Sequence, residues 1–439
     1  MEDAIDVVAE CVTLTQNKSP RSLKDVPSTI VPLIQCTITG SPKPPTSPCY
    51  PHFKTGRNDD ELTRSAVDDL AWLLVRHFHR DGGNAVNTLG PQCEDPRESE
   101  VNHEVPQPVP VWAAYNSLMR TSHSKVDDSY KLDKVHALPL INSPAHEWTT
   151  LTTALVQLHN LNQLMRTDDR LDNNEPTLVW LDMDLYKRVR KLSFLDHQFK
   201  DNIIASPGPF HIVICALRCL GATVESSGLD VAWIEAGLYS SITVVQILNG
   251  KHHNRALDAH QISLQALFDL WIKAFFEENP TLHQKLMSSM ETVREACSNG
   301  FDVAEAHRQL VSLVNTLELE KQMEGFDQKN DKYPMYKWAR MYMKQVSNLL
   351  QFMRGTRDCN WPLHLASLEK MCVYFFAFNR HDYAQNIPDH IAHNNVPTTN
   401  QPSTHMERSA KWRVCCQHKS HCIHIHWPRS SPRASQQST

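Results

Sequence analysis

Residues 264–280 read LQALFDLWIKAFFEENP. Leu264, Leu267, Phe268, Trp271 and Phe275 recur at steps of three and four, so one side of a helix carries an apolar stripe with large rings in it. Pro280 limits that helix, because proline has no amide to donate and its ring clashes with the preceding turn. The same period returns downstream. Val303, Ala306, Leu310, Leu313 and Leu317 mark one arm of a packed helical hairpin, and Trp338, Met341, Leu349 and Met353 a return arm. Polar GFDQKNDKYP, residues 325–334, reads as the turn between them. Leu365, Leu368, Met371, Cys372 and Phe375 give a further helix over about 363–379.

Upstream, Ser143-Pro144 opens a helix over about 145–166, Ser as cap and Pro in the first turn. TLVWLDMDLYKR, residues 177–188, then changes character. Thr177–Leu181 is a short β-leaning run behind Pro176 and reads as a strand, and from Asp184 through Leu192 the pattern is helical. From Pro207 onward helix follows helix. Near the amino terminus Leu62, Ala66, Leu70, Leu73, Leu74 and Phe78 predict one short helix, stopped at Gly82-Gly83. The fold class expected is therefore mainly α, a large helical domain with a minor β element. That element admits the further reading of a degenerate ribonuclease-H-like sheet with a helical insertion. Composition divides the chain into a loose segment over 1–60, a short helix plus Pro-rich linker over 61–110, a helix-rich core domain over 111–394 and a disordered tail over 395–439.

The chain has 439 residues, a net charge of -5 and a pI near 6.6, which excludes a globally basic nucleic-acid binder and leaves only a local patch for such a role. The opening MEDAIDVVAECV is acidic, with no basic start and apolar run of a secretory signal. The apolar runs 210–217 and 373–378 fall far short of the ~20 residues a membrane helix needs. The twelve cysteines, Cys215, Cys219 and Cys372 among them, then read as buried thiols of an intracellular protein, in cytoplasm or nucleus, with no membrane partner. With 13 glycines there is no Walker loop, dinucleotide fingerprint or serine elbow.

Several strings together resemble a family of domains of unknown function, present in many copies in marine invertebrate genomes and often near transposon-like genes. They are PVPVWAAYNSL (108–118), PLINSPAHEW (139–148), LDMDLYKRVRKL (181–192), PGPFHIVICALRCLG (207–221), SSGLDVAWIEAGLY (226–239), LNGKHHNRALDAH (248–260), WPLHLASLEKM (361–371) and FFAFNRHDYAQNIP (375–388). The resemblance implies an intracellular protein derived from a mobile element, with no established activity. It also implies that a stretch close to IGxDHxxEQxNK follows the RHDYA segment. This chain has WRVCCQHKSHCIHIHWPRSSPRASQQST over 412–439 instead. With permitted codons, a one-base shift turns that tail into GVCVVNTNPIVSTSIGPDHHQEHHNKV, so a frameshifted tail is expected.

Asp182 and Asp184 follow the strand. Carboxylates at a core strand end hold Mg²⁺ in ribonuclease-H-like nucleases and transposases, and the bland alternative is that they favour the amino-terminal dipole of the next helix. Lys187, Arg188, Arg190 and Lys191 could touch nucleic-acid phosphates or simply form a solvated face. His211, behind Pro207-Gly208-Pro209-Phe210, could face a site or lie satisfied in the core. His253 and His260 are too far apart for a zinc-helix pair and read as a polar network, with Asn254 and Arg255 as candidate phosphate contacts. Arg380 and His381, with Asp382 and Tyr383, could bind a ligand or hydrogen-bond a helix junction. In the tail, Cys415, Cys416, His418, His421, Cys422, His424 and His426 match no zinc-finger spacing. The leading expectation is a non-catalytic binding or interaction protein of unknown partner, protein or nucleic acid, without metal or cofactor. The alternative is a nuclease remnant using Asp182, Asp184 and Mg²⁺.

Overall fold

The computed structural model describes residues 59–81, 112–113, 141, 143–165, 176–297, 303–358, 360–395 and 423–424. Helix makes up 82% of the residues so described, which places the fold in the mainly α class with a minor β element. The expectations for 1–58, 82–111, 396–422 and 425–439, including most of the Cys/His tail, lie outside the described residues. In chain order the elements are α1 (Asp59–Asp81), α2 (Trp148–Met165), β1 (Thr177–Leu181), α3 (Met183–Leu195), α4 (His197–Asn202), β2 (Ile203–Pro207) and α5 (Pro209–Val224). Then come α6 (Leu229–Glu235), α7 (Ser241–Leu248), α8 (His253–Glu278), α9 (Pro280–Cys297), α10 (Val303–Thr316), α11 (Leu319–Asn330), α12 (Pro334–Arg357), α13 (Trp361–Ala377), α14 (His381–Asn395) and the two-residue β3 (Ile423–His424). Among the described residues no single helix is long and apolar enough to cross a membrane. The chain divides into two compact units, Met1–Ser129 with Ala216–Asn379, and Tyr130–Cys215 with Arg380–Thr439.

The first unit is all helix in its described residues. The stripe of α8 faces inward: Leu264, Phe268, Trp271 and Phe275 are buried, with the Trp271 and Phe275 rings stacked 5.7 Å apart. A buried ring of that size contributes about 3–5 kcal/mol against truncation to Ala. Residues 325–334, expected as a turn, are largely helical. They carry the second half of α11, whose Phe326 edges onto Trp271 and Phe275. α12 instead pairs with α13, since Gly355 lets the two backbones meet; a Cβ there would lie 2.6 Å from the His364 nitrogen. Heptad-like spacing shows that a helix has an apolar face but not which helix covers it.

The second unit is built on a parallel pair. β1 and β2 align Thr177 with Ile203 through Leu181 with Pro207, and β3 adds a short edge beside β1. Parallel neighbours need a crossover, supplied here by α3 and α4. Thr177 is buried because His159 Nδ1 and Asn162 Nδ2 of α2 each lie 3.0 Å from its hydroxyl. β2 was missed in the sequence: Ile203–Pro207 is too short for periodicity to separate strand from buried helix. Among the described residues the sheet is a parallel pair with one two-residue strand beside it, short of the mixed sheet of about five strands of a ribonuclease-H-like domain.

Candidate functional site

β1 and β2 end side by side, and each turns directly into a helix. The Gly208 amide donates to the Leu181 carbonyl at 2.6 Å, so the starts of α3 and α5 lie against one edge of the pair. In open parallel sheets, ligands bind outside the carboxyl ends of the strands. Asp182 takes an extended backbone there, and its carboxylate accepts from the Leu185 amide at 2.9 Å. It is thus the amino-terminal cap of α3. Asp184, in the first turn of the helix and 62% exposed, lies 3.5 Å from Lys187 Nζ and 3.4 Å from Arg188 Nε.

α14 packs on α3 and β2 and supplies the counter-charges. Lys187 Nζ donates to Asp382 at 2.8 Å, and this hydrogen bond raises its pKa further. Arg190 donates to Asp389 at 3.0 Å. Burial pushes the neighbouring Tyr186 phenol well up, so it stays protonated. Arg188 reaches the His146 carbonyl at 3.1 Å and lies over the Trp148 ring. Lys191 is exposed. The Tyr383 hydroxyl donates to the His211 carbonyl at 3.2 Å, which joins the RHDYA segment to the start of α5. The structure therefore brings Asp184, Lys187, Arg188 and Arg190 into one network with α14, whose first turn carries His381 behind Arg380. Sequence reasoning missed Asp382 and Asp389 as partners. Their one-face i, i+7 spacing was the available signal.

The remaining candidates lie in the other unit, on α8. His253 pairs with its neighbour Asn254 at 3.1 Å near the surface, and Asn254 and Arg255 are exposed. His260 is fully buried, with Nδ1 2.7 Å from the Tyr342 hydroxyl. Ser263 beside it accepts from Trp233 Nε1 at 2.8 Å. The two histidines thus occupy different environments and form no pair.

Residues 112–396 match the model of a family described as a domain of unknown function, DUF8702. The chain belongs to the DUF8702 family. The DUF8702 match takes in β1, β2 and every helix from α2 to α14. Neither a curated protein nor a solved structure matches the chain.

A second constellation, also missed in the sequence, straddles the start of the DUF8702 match. α1 precedes residue 112, yet it is buried in the first unit. Arg354 of α12 donates to the Ser65 hydroxyl at 2.7 Å and to Asp69, and Trp112 Nε1 donates to Asp69 at 2.7 Å. Desolvation raises the Asp69 pKa against the opposing pull of Arg354. His307 pairs with Asp68 at 2.9 Å and His77 with Asp269 at 2.9 Å. Of the expected face, Leu73, Leu74 and Phe78 are buried and Leu62, Ala66 and Leu70 half-buried, while Ser65, Val67, Asp69, Ala71 and Trp72 are buried as well. In the first half of the helix Ser65 and Asp69 also face inward, where the buried guanidinium of Arg354 and the indole N–H of Trp112 need acceptors.

Proposed function

We propose that this DUF8702 chain is a non-catalytic binding protein of a mobile element, working inside the cell on a protein partner and without cofactor. One observation carries the reading: the two carboxylates after β1 serve different structural partners, Asp182 the α3 amide and Asp184 the Lys187 and Arg188 cations. Two-metal chemistry needs several carboxylates converging on ions about 4 Å apart. Among the described residues no group of three or more His, Cys, Asp and Glu side chains is placed to hold a metal ion. A protein partner is favoured over nucleic acid because Lys187, Arg188 and Arg190 are drawn to carboxylates of the same fold. At the end of the same helix, Phe194 and Leu195 are 76% and 81% exposed. The mobile-element and intracellular parts of the proposal rest on the motif resemblance.

The test is a Mg²⁺ and Mn²⁺ cleavage assay on single- and double-stranded DNA, with Asp182→Ala and Asp184→Ala as controls. No cleavage is expected from any of the three proteins. Cleavage that disappears in either variant would establish the nuclease reading instead.

A further inference from the structure

α1 is joined to the DUF8702 match only through residues 82–111, yet it packs against α8, α9, α10, α12 and α13. Its contacts combine two kinds of recognition. Trp72, Leu74 and Phe78 supply buried apolar surface, Phe78 meeting the Phe276 and His283 rings at 6.0 and 6.3 Å. Acids along the helix meet donors from four separate parts of the chain: Glu61 accepts from Asn360 at 3.0 Å, Asp68 from His307 at 2.9 Å, and Asp69 from Arg354 and Trp112. A buried Trp beside Arg-centred polar contacts is the composition of a protein–protein hot spot more than of an apolar core. The polar match is also incomplete, since Asp69 Oδ2 and Arg354 Nε are buried without a hydrogen-bond partner. A buried ion pair of this kind is weak evidence for stability, because desolvation offsets its attraction.

We propose that the groove of α8, α9, α10, α12 and α13 is a binding site for an acidic amphipathic helix, filled in this chain by its own α1 and able to take the α1 of a second copy instead. The second copy is the occupant the chemistry names. Its helix presents the same acids in the same register, so exchange makes every existing contact again and requires no new surface. The helix suits the role, because its acids outnumber its arginines and the groove answers them with Arg354, His307 and Asn360. This inference goes beyond the function proposed above and stands or falls separately from it.

The experiment uses the full-length chain and a fluorescein-labelled peptide of residues 59–81, which is the second copy's α1 in isolation. Trp72→Ala with Phe78→Ala weakens the resident helix and opens the groove. The double variant is expected to keep the α12 and α13 amides protected in hydrogen exchange. It should bind the peptide about tenfold or more tightly than wild type does, because the tethered competitor no longer opposes it. Arg354→Met in that background should remove most of the gain. Loss of α12 and α13 protection in the double variant would make α1 an ordinary core helix and overturn the proposal. A folded variant that does not bind the peptide, or binds it equally well with Arg354→Met, would overturn it as well.

Discussion

The His260 ring is completely enclosed on α8, and burial alone brings its pKa down to about 3, against 6.5 for an exposed imidazole. Between those values the unfolded chain binds a proton that the folded chain does not. Stability from this group is therefore complete above pH 6.5 and falls as pH drops toward 3, by about 1.4 kcal/mol per pH unit. Urea unfolding at pH 7, 6 and 5 should show this slope in wild type and lack it in His260→Gln, which can still meet the Tyr342 hydroxyl. Equal slopes in the two proteins would mean that His260 remains free to protonate in the fold. The sequence reading grouped His260 with His253 in a polar network. Its partner Tyr342 lies 82 residues away, and no local pattern links them.

At the scale of elements, glycine separates close packing from mere helix. A Cβ at Gly221 of α5 would sit on the Leu248 carbonyl of α7, and one at Gly355 would crowd the His364 backbone of α13. Gly325, inside α11, has nothing within 4 Å of that position. Gly355→Ala should therefore cost about 1–3 kcal/mol through forced separation of α12 and α13. Gly325→Ala should stabilise by about 0.5–1 kcal/mol, since a helix interior gains from a less flexible residue. Guanidinium unfolding midpoints moving in opposite directions would confirm the pair; a harmless Gly355→Ala would mean that the α12–α13 contact is looser than described. These opposite signs could not be assigned from sequence. Gly325 in a polar stretch pointed to a turn, whereas Phe326 and Met323 bury enough surface to keep α11 helical.

For the molecule as a whole, charge and topology bear on partners. The net charge is -5, and three of the four cations in the 187–191 cluster are matched by Asp184, Asp382 and Asp389. Backbone binding to DNA gains by releasing counterions from phosphates, and cations already paired within the fold add little to it. Fluorescence anisotropy with labelled duplex DNA should show no saturable binding at about 0.15 M salt, the regime in which exposed charges are largely screened. Tight binding with a steep salt dependence, reduced by Lys187→Ala and Lys191→Ala, would restore the phosphate-contact role.

The sequence by itself determined the mainly α class, the stripe of α8, the strand at Thr177–Leu181 and the family, because these depend on short-range periodicity and on residue strings read in order. Only the tertiary structure decided that β2 lies parallel to β1, that α12 pairs with α13, and that α1 is buried with Asp69 against Arg354. Each of those joins residues far apart in the chain, and two amphipathic helices carry the same pattern whichever neighbour finally covers them. α1 shows the limit most directly: hydrophobicity marked Leu73, Leu74 and Phe78, which are buried, but not Ser65 and Asp69, which face inward to meet a guanidinium from another helix.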